Sequence, residues 1–317
     1  AFLMASARPV VAEPVAVTPL PPVEETDGRA GACYSFYYDP PEGPDRPFIQ
    51  MALDAGSRWD RFDFIWPNLE TSDGVWNPGV LDGYDTLVND LHNAGMNIVG
   101  ILLWTPDWAA TGGVTGLTLP SFDHRPAQWY APLARDPMVP LVANAASSPP
   151  QGLYEEWDDW TTDDGDPINY WGRFVSQIVS RYGSRVRYWE MWNEAEWDYF
   201  WTGSDADYAQ LLKVGYQATK AACPDCTVLF AGLHYWADPT FFERVLDILN
   251  DDPDAPDNDY FFDVMSVHLY SRSSNAYDVV NHIRSRMKAY VPDHPIWLTE
   301  TGVPVWGDPY GWVPDIP

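Results

Sequence analysis

Basic side chains are scarce in this sequence. Lys and Arg number 18 against 46 Asp and Glu, which gives a formal net charge of −28. A nucleic-acid binder needs a cationic footprint for phosphate, so that class is excluded. Anionic membranes and polyanionic substrates are repelled over most of such a surface as well. The acidity reads as a solubility feature, suited to a salty or extracellular habitat. Cysteine is rarer still: Cys33, Cys223 and Cys226 are all there is. A closed zinc site wants four ligands, and no second C-x-x-C is present. Cys223-Pro-Asp-Cys226 falls in a turn between a helix and a strand, where a local disulfide is favoured over a redox centre. Cys33 reads as a buried free thiol. Apolar runs never reach the length of about 18 residues that a membrane-spanning helix needs, so none is expected.

What is present points to a large core. Hydrophobic residues make up 46% of 317, which excludes global disorder. That length suits two domains of about 150 residues or one α/β barrel of about 250. Aromatics reach 15%, with 17 Trp. Part of that is core, and part suits exposed platforms whose flat faces stack on the C–H faces of sugars. Residues 1–12 (AFLMASARPVVA) look like the tail of a secretory signal, and 9–26 like a Pro-rich linker. The expected organisation is therefore a signal remnant and linker over 1–30 and a globular unit over 31–317.

From residue 32 onward, short apolar strands alternate with amphipathic helices. Strands are expected at 32–38, 58–64, 97–103, 187–192, 227–232, 263–269 and 295–299. Helical spacing connects Leu81, Tyr84, Val88 and Leu91, then Trp171, Phe174, Val175, Ile178 and Val179, then Tyr277, Val280, Ile283 and Met287. Alternating β and α predicts a parallel sheet. A closed (β/α)8 barrel needs eight strands, and only 301–317 follows the seventh, so a barrel truncated after strand seven is expected. A doubly wound open sheet is the alternative. Its nucleotide-binding version is disfavoured, because no G-x-G-x-x-G follows the first strand. Some sixty residues rich in Pro, Gly, Trp and Asp lie between Trp104 and Pro167. In a barrel, a connection leaving a strand there covers the C-terminal face, where active sites form.

Polar residues gather at the strand ends. The last strand, IWLTETG, places Ile296, Leu298 and Glu300 on one face by alternation. A carboxylate ending an apolar barrel-facing row is costly unless it is paired, capping or functional. In YWEMWNE, Glu194 ends the fourth strand, and its neighbour Asn193 reaches the same mouth only if the strand end kinks or bulges. Glu190 lies one pleat deeper, as a structural acid for a barrel Arg such as Arg61. Glu196 reads as a solvated loop residue. In DVMSVHLY, Val264, Ser266, His268 and Tyr270 share the inward face; His268 reads as a core histidine or as a site residue. In WDRFDF, Arg61 and Asp63 point inward while Phe62 and Phe64 point out. An inward Arg needs a carboxylate partner. Two acids on different strands of one mouth suit glycosidic bond cleavage. The proton donor then needs a raised pKa, from apolar walls such as Trp192 and Trp197 or from the other charge.

Four segments together resemble the clan A glycoside hydrolases, retaining enzymes on (β/α)8 barrels: WDRFDFIW with Glu70 and Gly74, YWEMWNE, DVMSVHLY and PIWLTETG. The pattern is most similar to glycoside hydrolase family 39, with families 5 and 42 as neighbours. The resemblance implies Glu194 as acid/base and Glu300 as nucleophile, with no cofactor and no metal. It implies that Asn193 binds the substrate 2-hydroxyl and that Tyr270 and Arg61 hold Glu300. His268 would line the −1 subsite, and Trp104, Trp108 and Trp306 would serve as sugar platforms. The sequence departs from the pattern at Ala195, where many members have Pro. Trp104-Thr105-Pro106 stands where several relatives have His. No eighth strand with its Trp floor follows, which suggests a fragment. The function expected is a secreted retaining glycoside hydrolase acting on oligo- or polysaccharides. A non-catalytic carbohydrate-binding protein and a transglycosylase on the same barrel are the alternatives. The acidic runs 163–166 and 250–259 lack a complete calcium-loop spacing and read as solvated loops.

Overall fold

The computed structural model describes residues 28–32, 47–111, 145–158, 168–271 and 273–302. The expected signal remnant, the Pro-rich linker, Cys33, most of the long connection after Trp104, and Trp306 lie outside these residues. In chain order the first elements are β1 (Gly31–Ala32), α1 (Pro47–Asp54), β2 (Trp59–Ile65), α2 (Trp66–Leu69), β3 (Glu70–Ser72), β4 (Val75–Trp76), α3 (Pro78–Asn93) and β5 (Asn97–Leu103). Then come α4 (Tyr170–Tyr182), β6 (Tyr188–Met191), α5 (Asp205–Ala222), β7 (Thr227–Leu229), β8 (Leu233–His234), α6 (Phe241–Asn250), β9 (Met265–Leu269), α7 (Ser273–Met287) and β10 (Ile296–Thr301).

Parallel pairing runs β1-β2-β5-β6-β7 in one sheet and β8-β9-β10 in another. Bridges from Leu229 to Val264 and from Asn193 to Gly232 join the two sheets, so β7 and β8 are two pieces of one strand path. The strands thus follow one another in sequence order around an arc, with helices between them, as expected of a (β/α) barrel. The small hairpin β3–β4 is an insertion after β2.

Local chemistry explains the elements. β5 reads NIVGILL and is buried on both faces, as central parallel strands are. A Cβ at Gly100 would meet the Phe64 and Trp189 rings at 2.8 Å, so this strand carries a glycine where two aromatic rings close over it. Asn77 caps α3 by accepting from the Val80 amide, and Pro78 sits at its first turn. Asn169 caps α4, and Ser204 with Asp207 forms a capping box on α5. α4 buries Trp171, Phe174, Val175, Ile178, Val179 and Tyr182 against the sheet and α5. α7 forms where the spacing predicts a helix, but its buried stripe is Val279, Ile283 and Met287; Tyr277 and Val280 are exposed. Val279 and Ile283 are four residues apart, and the helix turns that stripe inward instead. Cys223 and Cys226 form a disulfide at the turn between α5 and β7.

The interior nearest the strand N-termini is apolar. Val99, Leu229 and Val264 pack there with Trp59, Tyr188 and Trp297. Ring centroids of Trp59 lie 4.7 Å from Tyr188 and 5.2 Å from Trp297. Contacts of this kind add about 0.5–1.5 kcal/mol per pair beyond area burial. Trp297 therefore faces inward, not Ile296 or Leu298 as strict alternation predicts. Leu298 is exposed, and Ile296 packs under the helices. The reason is a bulge: Leu298 pairs with Val267 but Glu300 pairs with His268, leaving Thr299 as an extra residue. Thr299 hydrogen-bonds Ser266 inside, and beyond the bulge Glu300 also turns inward. Among the described residues, no helix is long and apolar enough to cross a membrane.

Candidate active site

Arg61, from β2, organises the C-terminal end of the interior. Its Nε donates to Glu190 Oε2 at 2.7 Å, its Nη1 to Glu300 Oε2 at 3.0 Å, and its Nη2 to Asn193 Oδ1 at 2.8 Å. Nη2 also lies 3.1 Å from His268 Nε2. A guanidinium can only donate, so His268 Nε2 accepts and its ring proton sits on Nδ1. Nδ1–H then donates to Glu194 Oε1 at 2.8 Å. Burial, reinforced by the Arg61 charge, holds His268 well below the usual histidine pKa, in agreement with a neutral ring.

Glu300 accepts from Arg61 on Oε2 and from the Tyr270 hydroxyl on Oε1. Glu190 is fully buried, and its second oxygen accepts from Ser266 Oγ at 2.8 Å, so this acid is satisfied on both sides. Glu194 stands differently. Burial, then the Glu300 and Glu196 charges, push its pKa up to about 8 against the pull of Arg61. Asp63 is pushed up to about 6, mainly by burial with Arg61 opposing.

The two acids reach one another through strained backbone. Trp192 has φ +77° and Glu194 φ +43°, a left-handed conformation that non-glycine residues rarely adopt. These kinks end β6 and turn both Asn193 and Glu194 into the mouth. Carboxylate oxygens of Glu194 and Glu300 and a ring nitrogen of His268 all lie within 4.8 Å of one another. Such a set could chelate a divalent cation in principle. A cation would face the Arg61 guanidinium, and His268 would have to give up its Nδ1 proton and the bond from Arg61.

Glu194, Glu300, Asn193, His268, Tyr270 and Arg61 thus form one hydrogen-bonded cluster. Trp104 (φ +70°) is largely buried; it stacks on Phe200 at 5.4 Å and meets Trp192 edge-on at 6.2 Å. It supports the mouth from behind. Trp108 is elsewhere: its indole N–H binds the Glu70 carbonyl, and its ring meets Trp66, Tyr170 and Arg173. Glu70 is also structural, accepting from Trp66, Gly74 and Arg173. Trp306 lies outside the described residues.

Two residues of the site escape a reading of the sequence. A Cβ on Gly232 would lie 2.0 Å from His268 Nε2 and 2.7 Å from Glu190 Oε1. Its carbonyl accepts from the Glu194 amide at 3.2 Å. The only advance signal is that a Gly closes the apolar run VLFAG. Glu196, expected in solvent, has both carboxylate oxygens buried without a well-formed hydrogen bond. Burial pushes its pKa up to about 8, with its own amide and that of His234 pulling the other way.

No protein-family profile matches the sequence, and no curated protein is similar to it. Solved structures do share its architecture. A family 39 glycoside hydrolase from Bacteroides cellulosilyticus WH2 is 19% identical with a TM-score of 0.51, over 80% of this chain and 45% of the other. A β-xylosidase from Caulobacter crescentus CB15 is 19% identical with a TM-score of 0.50, over 80% and 48%. The endoglucanase Cel5A of Pseudomonas stutzeri is 12% identical with a TM-score of 0.50, over 82% and 68%. The chain spans about half the length of the first two. In fold, the chain is similar to these glycoside hydrolases, a family 39 enzyme among them.

Proposed function

We propose that this chain carries the catalytic centre of a secreted retaining glycoside hydrolase that cleaves β-glycosidic bonds of oligo- or polysaccharides. One observation carries the reading: two acids with an oxygen of each within 4.8 Å, one pushed up to about 8 and the other gripped by Arg61 and Tyr270. Retention uses carboxyl groups about 5–5.5 Å apart, whereas inversion needs about 6.5–9.5 Å for a water between them. Glu194 gives its proton to the leaving glycosidic oxygen as the C–O bond breaks. Glu300 attacks the anomeric carbon and forms a glycosyl ester. Glu194, now ionised, takes a proton from water; the water oxygen displaces Glu300, and both acids return to their starting states. His268, donating to Oε1 of Glu194, leaves the acidic proton to Oε2. Asn193, with Oδ1 held by Arg61, offers its amide N–H to the sugar 2-hydroxyl. Secretion is supported by the Cys223–Cys226 disulfide, of a kind that persists in oxidising compartments, and by the acidic surface.

A panel of aryl β-glycosides tests the activity. Glu300→Ala should lose it and regain turnover with azide, yielding the α-glycosyl azide. No rescue alongside full residual activity removes Glu300 from the role. Glu194 must be protonated to act, so kcat/KM should fall as pH rises through about 8. In Glu194→Gln that alkaline limb should vanish, and its persistence would point to another acid.

A further inference from the structure

Buried glutamates in this chain divide by partner. Glu70 holds Arg173 at 2.8 Å, and Glu190 holds Arg61 at 2.7 Å. Among the described residues, neither Glu194 nor Glu196 forms an ion pair with Arg or Lys. Glu194 meets the neutral His268, and Glu196 has both carboxylate oxygens buried without a well-formed hydrogen bond. A buried carboxyl with no cation beside it is cheaper as the acid than as the carboxylate.

One turn sets both acids. The Trp197 amide donates to the Glu194 carbonyl at 3.0 Å, which makes residues 194–197 a β-turn. The turn docks on the path of β8 at two successive points. The Glu194 amide donates to the Gly232 carbonyl at 3.2 Å, and the Glu196 carboxyl comes beside the His234 amide. The Phe200 and Trp201 amides return to the Trp197 carbonyl at 2.8 and 3.1 Å and close the turn on its far side. No cation faces Glu196 from β8 or the loop after it. Burial holds the His234 ring below the usual histidine pKa, its Nδ1 is buried without a partner, and Asp238 adds a negative charge. Glu194 faces the Glu300, Glu196 and Glu190 charges against Arg61 alone, and Arg61 already binds Glu190 and Glu300.

Resting on the glycosidase reading, we propose that Glu196 is a positioning residue for the proton donor: the 194–197 turn holds its carboxyl so that ionisation of either acid keeps the proton on the other. Glu196 acts through Glu194 and not on the substrate. Two buried carboxyls so placed cannot both ionise cheaply. They release their protons in two steps that belong to the pair, and by linkage each acid raises the other by the same amount. Glu194 therefore remains an acid farther into alkaline pH than burial and Glu300 alone would carry it.

Carbon-13 NMR of the glutamate carboxyls in the full chain reads this without turnover. Glu196→Gln should lower the titration midpoint of Glu194 by about one pH unit, the scale at which two acids titrate as a pair. Glu194→Gln should lower the midpoint of Glu196 by the same amount, and it serves where Glu196→Gln fails to fold. On aryl β-glycosides, the alkaline limb of kcat/KM in Glu196→Gln should move to lower pH by the shift seen in the spectrum. A merely structural residue would change the height of the profile and leave the limb in place. A midpoint unmoved in either variant, or a limb that stays put while hydrolysis persists, overturns the proposal. Wild-type protein that cleaves no β-glycoside at any pH, with the reciprocal shift intact, would instead overturn the glycosidase reading and leave a coupled pair of buried acids.

Discussion

One pleat separates two chemistries inside the strand arc. Trp59, Tyr188, Val264 and Trp297 fill the interior near the strand N-termini with rings and methyl groups. Two residues further along β2 and β6, and at the ends of β9 and β10, stand Arg61, Glu190, His268 and Glu300. The lower layer is held by volume and is indifferent to which apolar atoms supply it. The upper layer is held by pairing: each charge was taken from water and is tolerable only while its partners remain. The candidate site lies in the layer whose parts cannot be exchanged one at a time.

The comparison breaks most sharply at Arg61. Arg61→Met should cost about 3–5 kcal/mol in urea unfolding, because it strands the buried Glu190. A cost below about 1 kcal/mol would mean that the upper layer does not depend on pairing. Glu196→Gln should act in the opposite direction. Its folded pKa is raised to about 8, so the folded state holds a proton that the unfolded chain releases above about pH 4.5. Native stability is therefore eroded as pH rises from about 4.5 to 8, and the isosteric amide removes that erosion. The variant should match wild type near pH 4 and gain on the order of 2–4 kcal/mol at pH 8. Equal stabilities at both pH values would place Glu196 in solvent.

Gly232→Ala should cost about 1–3 kcal/mol, since the new methyl group and His268 cannot share one place. It should also lower kcat more than it raises KM, by displacing the bond from His268 to Glu194. An unaltered pH–rate profile would show that His268 does not position the acid. Leu229→Met, in the lower layer, should cost less than about 1.5 kcal/mol and leave the pH profile unchanged. A changed profile would show that the two layers are coupled.

Much of the frame was legible in advance. The run NIVGILL marks β5 from end to end, and α4 follows its 3.6-residue stripe, because burial on one or both faces leaves a periodic trace. Arg61, Ser266 and His268 could be assigned inward because β2 and β9 are regular and period two holds along them. The same rule misplaced Ile296 and Leu298, because the Thr299 bulge resets parity within β10. It also left Asn193 and Glu194 in conflict until the left-handed Trp192 and Glu194 resolved it. A positive φ at a tryptophan or glutamate has no local signature. Surrounding contacts impose it against the residue's own preference.

The residue types and their order along the chain determined that strands would alternate with helices and that acids would stand at the strand ends. Those features follow from local periodicity and from the cost of an unpaired charge. Only the tertiary structure decided that Arg61 would reach Glu190, Glu300, Asn193 and His268 at once, how near the Glu194 and Glu300 oxygens would come, and that the Glu196 carboxylate would be buried while Trp197 was not. Each depends on side chains from distant segments desolvating one another, and a desolvation energy is defined only once the neighbours are in place.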